Sequence, residues 1–228
     1  MATIADNLQA VHARIARAAR AAGRDPGGVG LVAVSKTFPA ECIVQAHAAG
    51  QRAFGENFAQ EAVQKVTLLG HLALEWHFLG PIQSNKTGMI ATHFQWVHGV
   101  DRARIAQRLD AARPVELPPL NVCIQVNVSG EASKSGVDPG DEAELAAAIA
   151  RLPRLKLRGL MAIPEPTSDT ALTRRRFALL RQLKDSLVAR GYALDTLSMG
   201  MSDDFEAAIA EGATMVRVGT AIFGRRDQ

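Results

Sequence analysis

Lys36 is the residue with the clearest reactive chemistry in this sequence, because it follows the apolar run Leu31–Ser35. An ammonium group at the end of such a run is partly desolvated, and desolvation favours the neutral amine. A neutral amine attacks aldehydes, so Lys36 is a candidate for forming a Schiff base. The alternative is a rim lysine that lays its methylene chain on apolar neighbours and keeps its charge in water.

A second group of candidates lies near the carboxyl terminus, in segments 197–202 and 216–220. Each segment ends an apolar run and contains glycine together with serine or threonine. Glycine lets backbone N–H groups approach an anion, and hydroxyl groups add further donors. The two segments therefore predict a phosphate site, with ordinary turn glycines as the alternative.

Arg217 precedes Gly219 by two residues, so strand geometry places both residues on the same face. An arginine that points into a protein interior needs a partner, which is either a carboxylate or a ligand. Beside a pyridine nitrogen, a guanidinium would keep that nitrogen unprotonated and make the ring a poorer electron sink. With Lys36 and the phosphate segments, Arg217 predicts a site for pyridoxal 5'-phosphate (PLP).

These candidates need a fold that brings distant segments together, and the hydrophobic pattern indicates one. Short apolar runs alternate with longer segments of helical spacing, which predicts parallel strands joined by helices. Eight such units predict an α/β fold, a single (β/α)8 barrel of the TIM type over residues 1–228 with an extra N-terminal helix within 2–24. An open doubly wound sheet is the alternative, although no Gly-x-Gly-x-x-Gly turn follows the first strand. The strands are predicted at Leu31–Ser35, Arg52–Gly55, Glu75–Leu79, Trp96–Val100, Val122–Val128, Leu157–Ala162, Thr196–Met199 and Met215–Val218.

Ligands of such barrels bind where strands end and helices begin, and the candidates follow the first, seventh and eighth strands. We therefore expect them to meet at one end of the barrel. The helices between the strands are predicted at Ala40–Ala49, Phe58–Leu69, Arg102–Ala112, Glu142–Leu152, Thr173–Arg190 and Asp203–Glu211.

The composition argues against several classes of partner. A net charge of +3 from 26 basic and 23 acidic residues is too even to recruit nucleic acid or a membrane surface. No apolar run approaches the roughly 18 residues of a transmembrane helix. Two cysteines, Cys42 and Cys123, are too few for a disulfide framework and favour a reducing compartment, so we expect a cytoplasmic protein.

His77, His93 and His98, with Asp101 nearby, raise the alternative of a metal site. Their spacing matches no tight ligand pair on one helix, so we predict that no metal is bound. His77 ends the third strand and is interpreted as a residue that lines the cofactor pocket or orients a neighbour.

Over nearly its whole length the sequence resembles the PLP homeostasis protein family, whose members are relatives of the N-terminal barrel of alanine racemase. The resemblance rests on the segments 33–37 (AVSKT), 54–57 (FGEN), 76–80 (WHFLG), 83–86 (QSNK), 159–161 (GLM), 197–202 (LSMGMS) and 217–224 (RVGTAIFG).

The resemblance implies a cytosolic protein that holds PLP and helps to balance vitamin B6 and amino or keto acid pools without robust catalytic turnover. No catalytic residue is predicted. The resemblance also implies which residues bind the cofactor. Lys36 would form the covalent link, and Ser198 or Ser202 would bind the phosphate together with Gly219 and Thr220. Arg217 would face the pyridine nitrogen, and Asn57 would line the pocket.

The sequence departs from the family pattern at Phe38, where many members carry a second lysine. A role of that lysine in PLP transfer is therefore in doubt for this chain. Lys134 matches a loop lysine of the family and is a candidate for receiving or passing on PLP, with a solvated loop lysine as the alternative.

Two other functions stay open: a single-domain PLP enzyme, such as a slow amino acid racemase or lyase, and an aldolase-like barrel in which Lys36 meets a sugar-phosphate carbonyl. A two-base racemase is disfavoured because Tyr192, the only tyrosine, lies in a helix–strand connection. We expect a monomer that binds PLP, and the sequence leaves open whether amino acids and PLP-dependent client enzymes are further partners.

Overall fold

The computed structural model describes residues 2–130 and 135–224, and eight parallel strands close into a barrel. Neighbouring strands follow chain order, and the first strand pairs with the last, Val32 opposite Arg217. This closure confirms the (β/α)8 barrel, and the doubly wound alternative is wrong because it would leave two open edges. The strands are β1 (Gly30–Val34), β2 (Ala53–Glu56), β3 (Glu75–Phe78), β4 (Trp96–Val100), β5 (Leu120–Gln125), β6 (Leu155–Met161), β7 (Thr196–Ser198) and β8 (Met215–Val218).

Helices surround the barrel, and six of those that follow α1 lie close to the predicted segments. The predicted strand Val122–Val128 ends early, at Gln125, because Val126 forms an isolated bridge with Val137. The helices are α1 (Ile4–Ala21), α2 (Ala40–Ala48), α3 (Ala59–Leu68), α4 (Thr87–His93), α5 (Ala103–Ala112), α6 (Glu142–Ile149), α7 (Thr170–Ala189), α8 (Phe205–Ala210) and α9 (Thr220–Phe223).

Alternate residues of each strand point to two different environments. One set joins a large apolar cluster between strands and helices, for example Leu197 of β7 and Val216 and Val218 of β8. The other set points into the barrel, where a small cluster contains Trp96 and Met161. Both strand faces are covered, which explains why the strands are almost continuously apolar in sequence.

The extra N-terminal helix is confirmed as α1. Thr3 and Asp6 form a capping box at its start, which satisfies backbone N–H groups of the first turn. Its buried face, which includes Leu8, Val11 and Ile15, packs against the barrel, and each such side chain contributes about 1.5–3 kcal/mol. The helix therefore anchors the α8 and α9 side of the barrel, on which the candidate phosphate segments lie.

Candidate functional site

A cavity of about 300 Å³ opens at the carboxyl ends of the strands. Six of the eight predicted cofactor residues line it: Lys36, Asn57, Ser202, Arg217, Gly219 and Thr220. The other lining residues were not predicted to contact the ligand, and only Phe38 was noted for another reason, as a departure from the family pattern. They are Val34, Phe38, Leu79, Ile163, Met201 and Asp203. Several of them are apolar residues close in sequence to predicted ones. The alternating direction of side chains at the strand ends was the signal in the sequence that could have identified them.

Behind Lys36 lies a cluster of charged side chains, of which Lys65 and Glu56 are buried and Glu61 is partly exposed. Lys65 of α3 donates to the backbone oxygen of Ser35 at 2.8 Å, to Glu56 Oε1 at 2.8 Å and to Glu61 Oε1 at 2.6 Å. Ser35 Oγ also donates to Glu56 Oε1, at 2.7 Å. The three donors of the ammonium group are thus all used, and one of them holds the backbone that precedes Lys36.

The same cluster holds the backbone that follows Lys36. Thr37 adopts φ = 67°, in the left-handed region that non-glycine residues rarely occupy. Its backbone N–H donates to Glu61 Oε1 at 2.6 Å, a charge-assisted hydrogen bond. The carboxylate and Lys65 therefore fix the direction in which the chain leaves β1 at Lys36.

Glu56 is the most constrained member of this cluster. Its side chain is fully buried, and its Oε2 has no hydrogen-bond partner among the described residues. Burial raises the pKa of this carboxyl group, and the nearby charge of Lys65 opposes that rise. The ion pair with Lys65 is therefore what keeps a buried carboxylate in place behind Lys36.

The candidate phosphate side of the cavity is built from two close backbone approaches. Gly200 has φ = 94°, and a Cβ atom there would lie 2.7 Å from the Cβ of Ala208. A Cβ atom on Gly219 would lie 3.1 Å from the backbone oxygen of Val34. Glycine at these positions lets β7 and β8 turn tightly into α8 and α9, and these turns bring Ser202 and Thr220 to the cavity.

Arg217 enters the cavity from β8 and is held by two neutral groups. Nη1 donates to Ser198 Oγ at 2.7 Å, and Nη2 donates to the backbone oxygen of Ala162 at 2.9 Å. Burial lowers the pKa of this guanidinium to about 10, and the charge of Asp204 partly opposes the shift. Arg217 is therefore still a cation at neutral pH, and the predicted carboxylate alternative does not describe its hydrogen bonds.

Ser198 and His77 have no exposed surface, and neither lines the cavity. Ser198 Oγ is bonded to His98 Nδ1 at 2.7 Å as well as to Arg217. His77 lies between His98 and Glu75. Of the two serines proposed for the phosphate, the structure brings Ser202 to the cavity. Ser198 is bonded to Arg217 itself, and His77 is linked to Ser198 through His98.

The remaining sequence candidates are placed as follows. Residues 2–130 and 135–224 contain no group of three His, Cys, Asp or Glu side chains arranged for a metal ion. His93 Nδ1 contacts the backbone oxygen of Met89, away from the other histidines. Lys134 lies outside the described residues. Within the described part of the chain, no helix combines the length and apolarity needed to cross a membrane.

The donor set of the cavity fits PLP. Lys36 would supply an amine for the aldehyde, Arg217 would supply a cation for the ring nitrogen, and the hydroxyls of Ser202 and Thr220 would be donors for a phosphate. Gly219 packs closely against Val34, since a Cβ atom there would lie 3.1 Å from the backbone oxygen of Val34, so glycine lets β8 turn into α9 beside the end of β1 at the cavity wall.

Comparisons with known proteins agree with this geometry. Residues 7–227 match the family described as "Alanine racemase, N-terminal domain". The chain is 64% identical over 227 residues to the pyridoxal phosphate homeostasis protein of Pseudomonas aeruginosa, covering 100% of this chain and 97% of that protein. It is 56% identical over 233 residues to the protein of the same name from Escherichia coli, covering 100% and 98%.

A solved structure of PipY from Synechococcus elongatus, described as having PLP bound, superposes with a TM-score of 0.85 at 38% identity. The match covers 97% of this chain and 100% of that one. The resemblance noted in the sequence is thereby confirmed: the chain belongs to the pyridoxal phosphate homeostasis protein family, within the group that shares the N-terminal barrel domain of alanine racemase.

Proposed function

We propose that this protein binds PLP in the cavity at the carboxyl ends of the strands and holds it as a Schiff base on Lys36. The observation that carries the proposal is the convergence of Lys36, Arg217, Ser202 and Thr220 from three separate strand ends on one cavity. The names of its relatives and the PLP-bound structure of PipY support the same cofactor.

Each wall of the cavity has a role in this proposal. Ser202, Gly219 and Thr220 hold the phosphate, Arg217 faces the pyridine nitrogen, and Asn57 lines the cofactor. When bound, PLP supplies an aldehyde that reacts with amines and a ring that withdraws electrons. The charge cluster around Lys65 keeps the backbone of Lys36 in one direction, so that the amine is presented to the cavity.

The proposed role is reversible storage in vitamin B6 and amino or keto acid homeostasis, without robust turnover. Arg217 supports this role because a permanent cation keeps the ring nitrogen unprotonated and limits carbanion chemistry. Tyr192 precedes β7, at the end of the barrel opposite the cavity, so it is not placed to act as a second acid or base. We further propose a cytoplasmic monomer, with client enzymes as transient partners.

A second candidate function is a slow racemase or lyase acting on amino acids. A neighbouring cavity of about 290 Å³ favours it, because that cavity shares Asn57, Leu79 and Ile163 with the first. It would give room for the substituent of an incoming amine. Chiral chromatography of amino acids incubated with PLP-loaded protein separates the two functions: storage predicts no conversion above the level of Lys36→Ala, and turnover would support the enzyme.

The direct test is a PLP titration followed by absorbance in the near-ultraviolet and violet. We expect a Schiff-base band in the natural protein and in Lys156→Ala, whose lysine is exposed at the start of β6 at the opposite end of the barrel. Lys36→Ala should lose the band but keep weaker binding through the phosphate contacts. A natural protein without the band would overturn the proposal and favour the aldolase-like alternative.

A further inference from the structure

A continuous line of hydrogen bonds crosses the interior of the barrel from its amino end to the cavity. It begins at Glu75, the first residue of β3, where Oε1 lies 2.9 Å from His77 Nε2. His77 Nδ1 lies 3.0 Å from His98 Nε2, and His98 Nδ1 lies 2.7 Å from Ser198 Oγ. Arg217 Nη1 completes the line at 2.7 Å from the same oxygen.

The middle of this hydrogen-bond chain is buried and uncharged. His77, His98 and Ser198 have no exposed surface. Burial lowers the pKa of both histidines, and for His98 the charge of Arg217 and the neighbouring ring act in the same direction. Because a neutral imidazole donates from one nitrogen and accepts at the other, each ring can link two partners.

The chemistry of the two ends leaves a single direction for the protons. A guanidinium is only a donor, so Ser198 Oγ accepts from Arg217. In the direction that the carboxylate of Glu75 requires, Ser198 gives its own proton to His98 Nδ1. His98 then carries its proton on Nε2 and donates to His77 Nδ1. His77 likewise carries its proton on Nε2 and donates to the carboxylate of Glu75, which is only an acceptor. The reverse direction fails at Glu75, because a neutral His77 with its proton on Nδ1 would turn an unprotonated Nε2 toward the carboxylate.

Packing holds the rings of the chain in place. Trp96 stacks on the ring of His77, with centroids 5.5 Å apart and an interplanar angle of 12°. The guanidinium of Arg158 in turn lies over the ring of Trp96, with its Cζ 4.7 Å from the ring centroid. The hydrogen bond from His77 is the main cause that lowers the pKa of Glu75, so the carboxylate end of the chain is ionised at neutral pH.

We propose that Glu75, His77, His98 and Ser198 are positioning residues that fix the orientation in which Arg217 presents its guanidinium to the cavity. The chain links a half-exposed carboxylate at the amino end of the barrel to the group that faces the ligand at the other end. The inference rests on the proposed function only for the identity of that ligand as PLP.

Nitrogen-15 spectroscopy of the histidine rings in the ligand-free protein tests the chain without any cofactor. We expect His77 and His98 to be neutral at pH 7, each with its proton on Nε2. A proton on Nδ1 of His98, or a charged ring at pH 7, would overturn the assignment. This result is independent of whether PLP binds.

Two variants then test the effect on the ligand. Ser198→Ala cuts the chain next to Arg217, and removal of one such hydrogen bond predicts about tenfold weaker PLP binding. Glu75→Gln keeps an acceptor oxygen but removes the charge, and we expect about threefold weaker binding with a shifted absorbance of the bound cofactor. Asp185→Asn, at an exposed carboxylate on α7, is the matched control and should leave both readouts unchanged.

Glu75 is about half exposed, so its variant tests the chain even where Ser198→Ala does not fold. Natural affinity and absorbance in a folded Glu75→Gln protein would overturn the positioning role. If the natural protein fails to bind PLP, the proposed function fails, while the ring spectra still decide whether the chain exists.

Discussion

Lys36 and Arg217 face one cavity from neighbouring strands, β1 and β8, but the protein supports them in opposite ways. Behind Lys36 lies a compact cluster of charges formed by the buried Lys65 and Glu56 and the partly exposed Glu61. Behind Arg217 lies a long chain of neutral groups that ends in a carboxylate at the far side of the barrel. The first arrangement fixes a backbone direction, and the second fixes a side-chain orientation.

The two supports should respond differently to damage. Removing one partner from a buried ion pair leaves an uncompensated charge, which costs several kcal/mol of folding free energy. Cutting a neutral hydrogen-bond chain costs less stability but frees the group at its end. For substitutions of the supporting side chains, the comparison therefore predicts stability effects on the Lys36 side and mainly binding or pH effects on the Arg217 side.

The largest effect is expected for Lys65→Met, which leaves Glu56 as a buried carboxylate without its cation. We expect the free energy of unfolding to fall by about 3–5 kcal/mol, measured by urea denaturation. Adding Glu56→Gln should recover a large part of the loss, because the buried charge is then absent. Lys156→Met, at an exposed lysine, should change stability by no more than about 0.5 kcal/mol. A loss below about 1 kcal/mol in Lys65→Met would contradict the ion-cluster account.

Gly200→Ala tests the backbone of the Arg217 side, since the oxygen of Gly200 accepts from the backbone N–H of Arg217. A side chain here would be strained at φ = 94° and would meet Ala208, so we expect a loss of about 2–3 kcal/mol. Gly130→Ala is the control, because Gly130 has φ = 72° but open space around its Cβ position. Equal losses in both variants would show that the contact with Ala208 is unimportant.

The pH dependence of stability tests the neutrality of the histidine chain. The folded pKa values of His77 and His98 lie below the unfolded value of about 6.5, so the unfolded state binds more protons below that pH. Their contribution is therefore present above about pH 6.5 and is lost as the pH falls. A histidine that is protonated in the unfolded state and still neutral in the folded state adds up to about 1.4 kcal/mol per pH unit to the slope below about pH 6.5.

His98→Gln should remove one proton from this slope, measured by urea denaturation at pH 5, 6 and 7. The raised pKa of Glu56 has the opposite effect, since it increases the stability as the pH falls. This effect is the same in the natural protein and in His98→Gln, so it cancels when the two slopes are compared. An unchanged slope would mean that His98 is not held neutral.

The smallest effect is expected at Phe38, which lies outside both supports. Its ring packs against Phe223, with centroids 5.2 Å apart, and it lines the cavity. Phe38→Ala should lose about 0.5–1.5 kcal/mol from the aromatic contact and weaken PLP binding by less than tenfold, measured by titration. A loss of binding as complete as in Lys36→Ala would show that the cavity depends on this contact instead.

The sequence predicted the barrel and six of the twelve residues that line the cavity, because buried strands are apolar on both faces and because ligands bind at strand carboxyl ends. It did not predict how deeply each residue is buried behind the cavity. Ser198 and Ser202 lie near the same strand end in the sequence, but only the three-dimensional structure shows that Ser198 is buried and accepts a hydrogen bond from Arg217. Lys65 was missed because, four residues after Glu61 on a helix, it has the spacing of an ordinary surface pair.

Borohydride reduction of the PLP-treated protein, followed by mass mapping of the modified peptides, tests the central claim most directly. The account predicts that a single pyridoxyl group is fixed on Lys36, while exposed lysines such as Lys156 are unmodified. Modification spread over surface lysines, or none on Lys36, would contradict it.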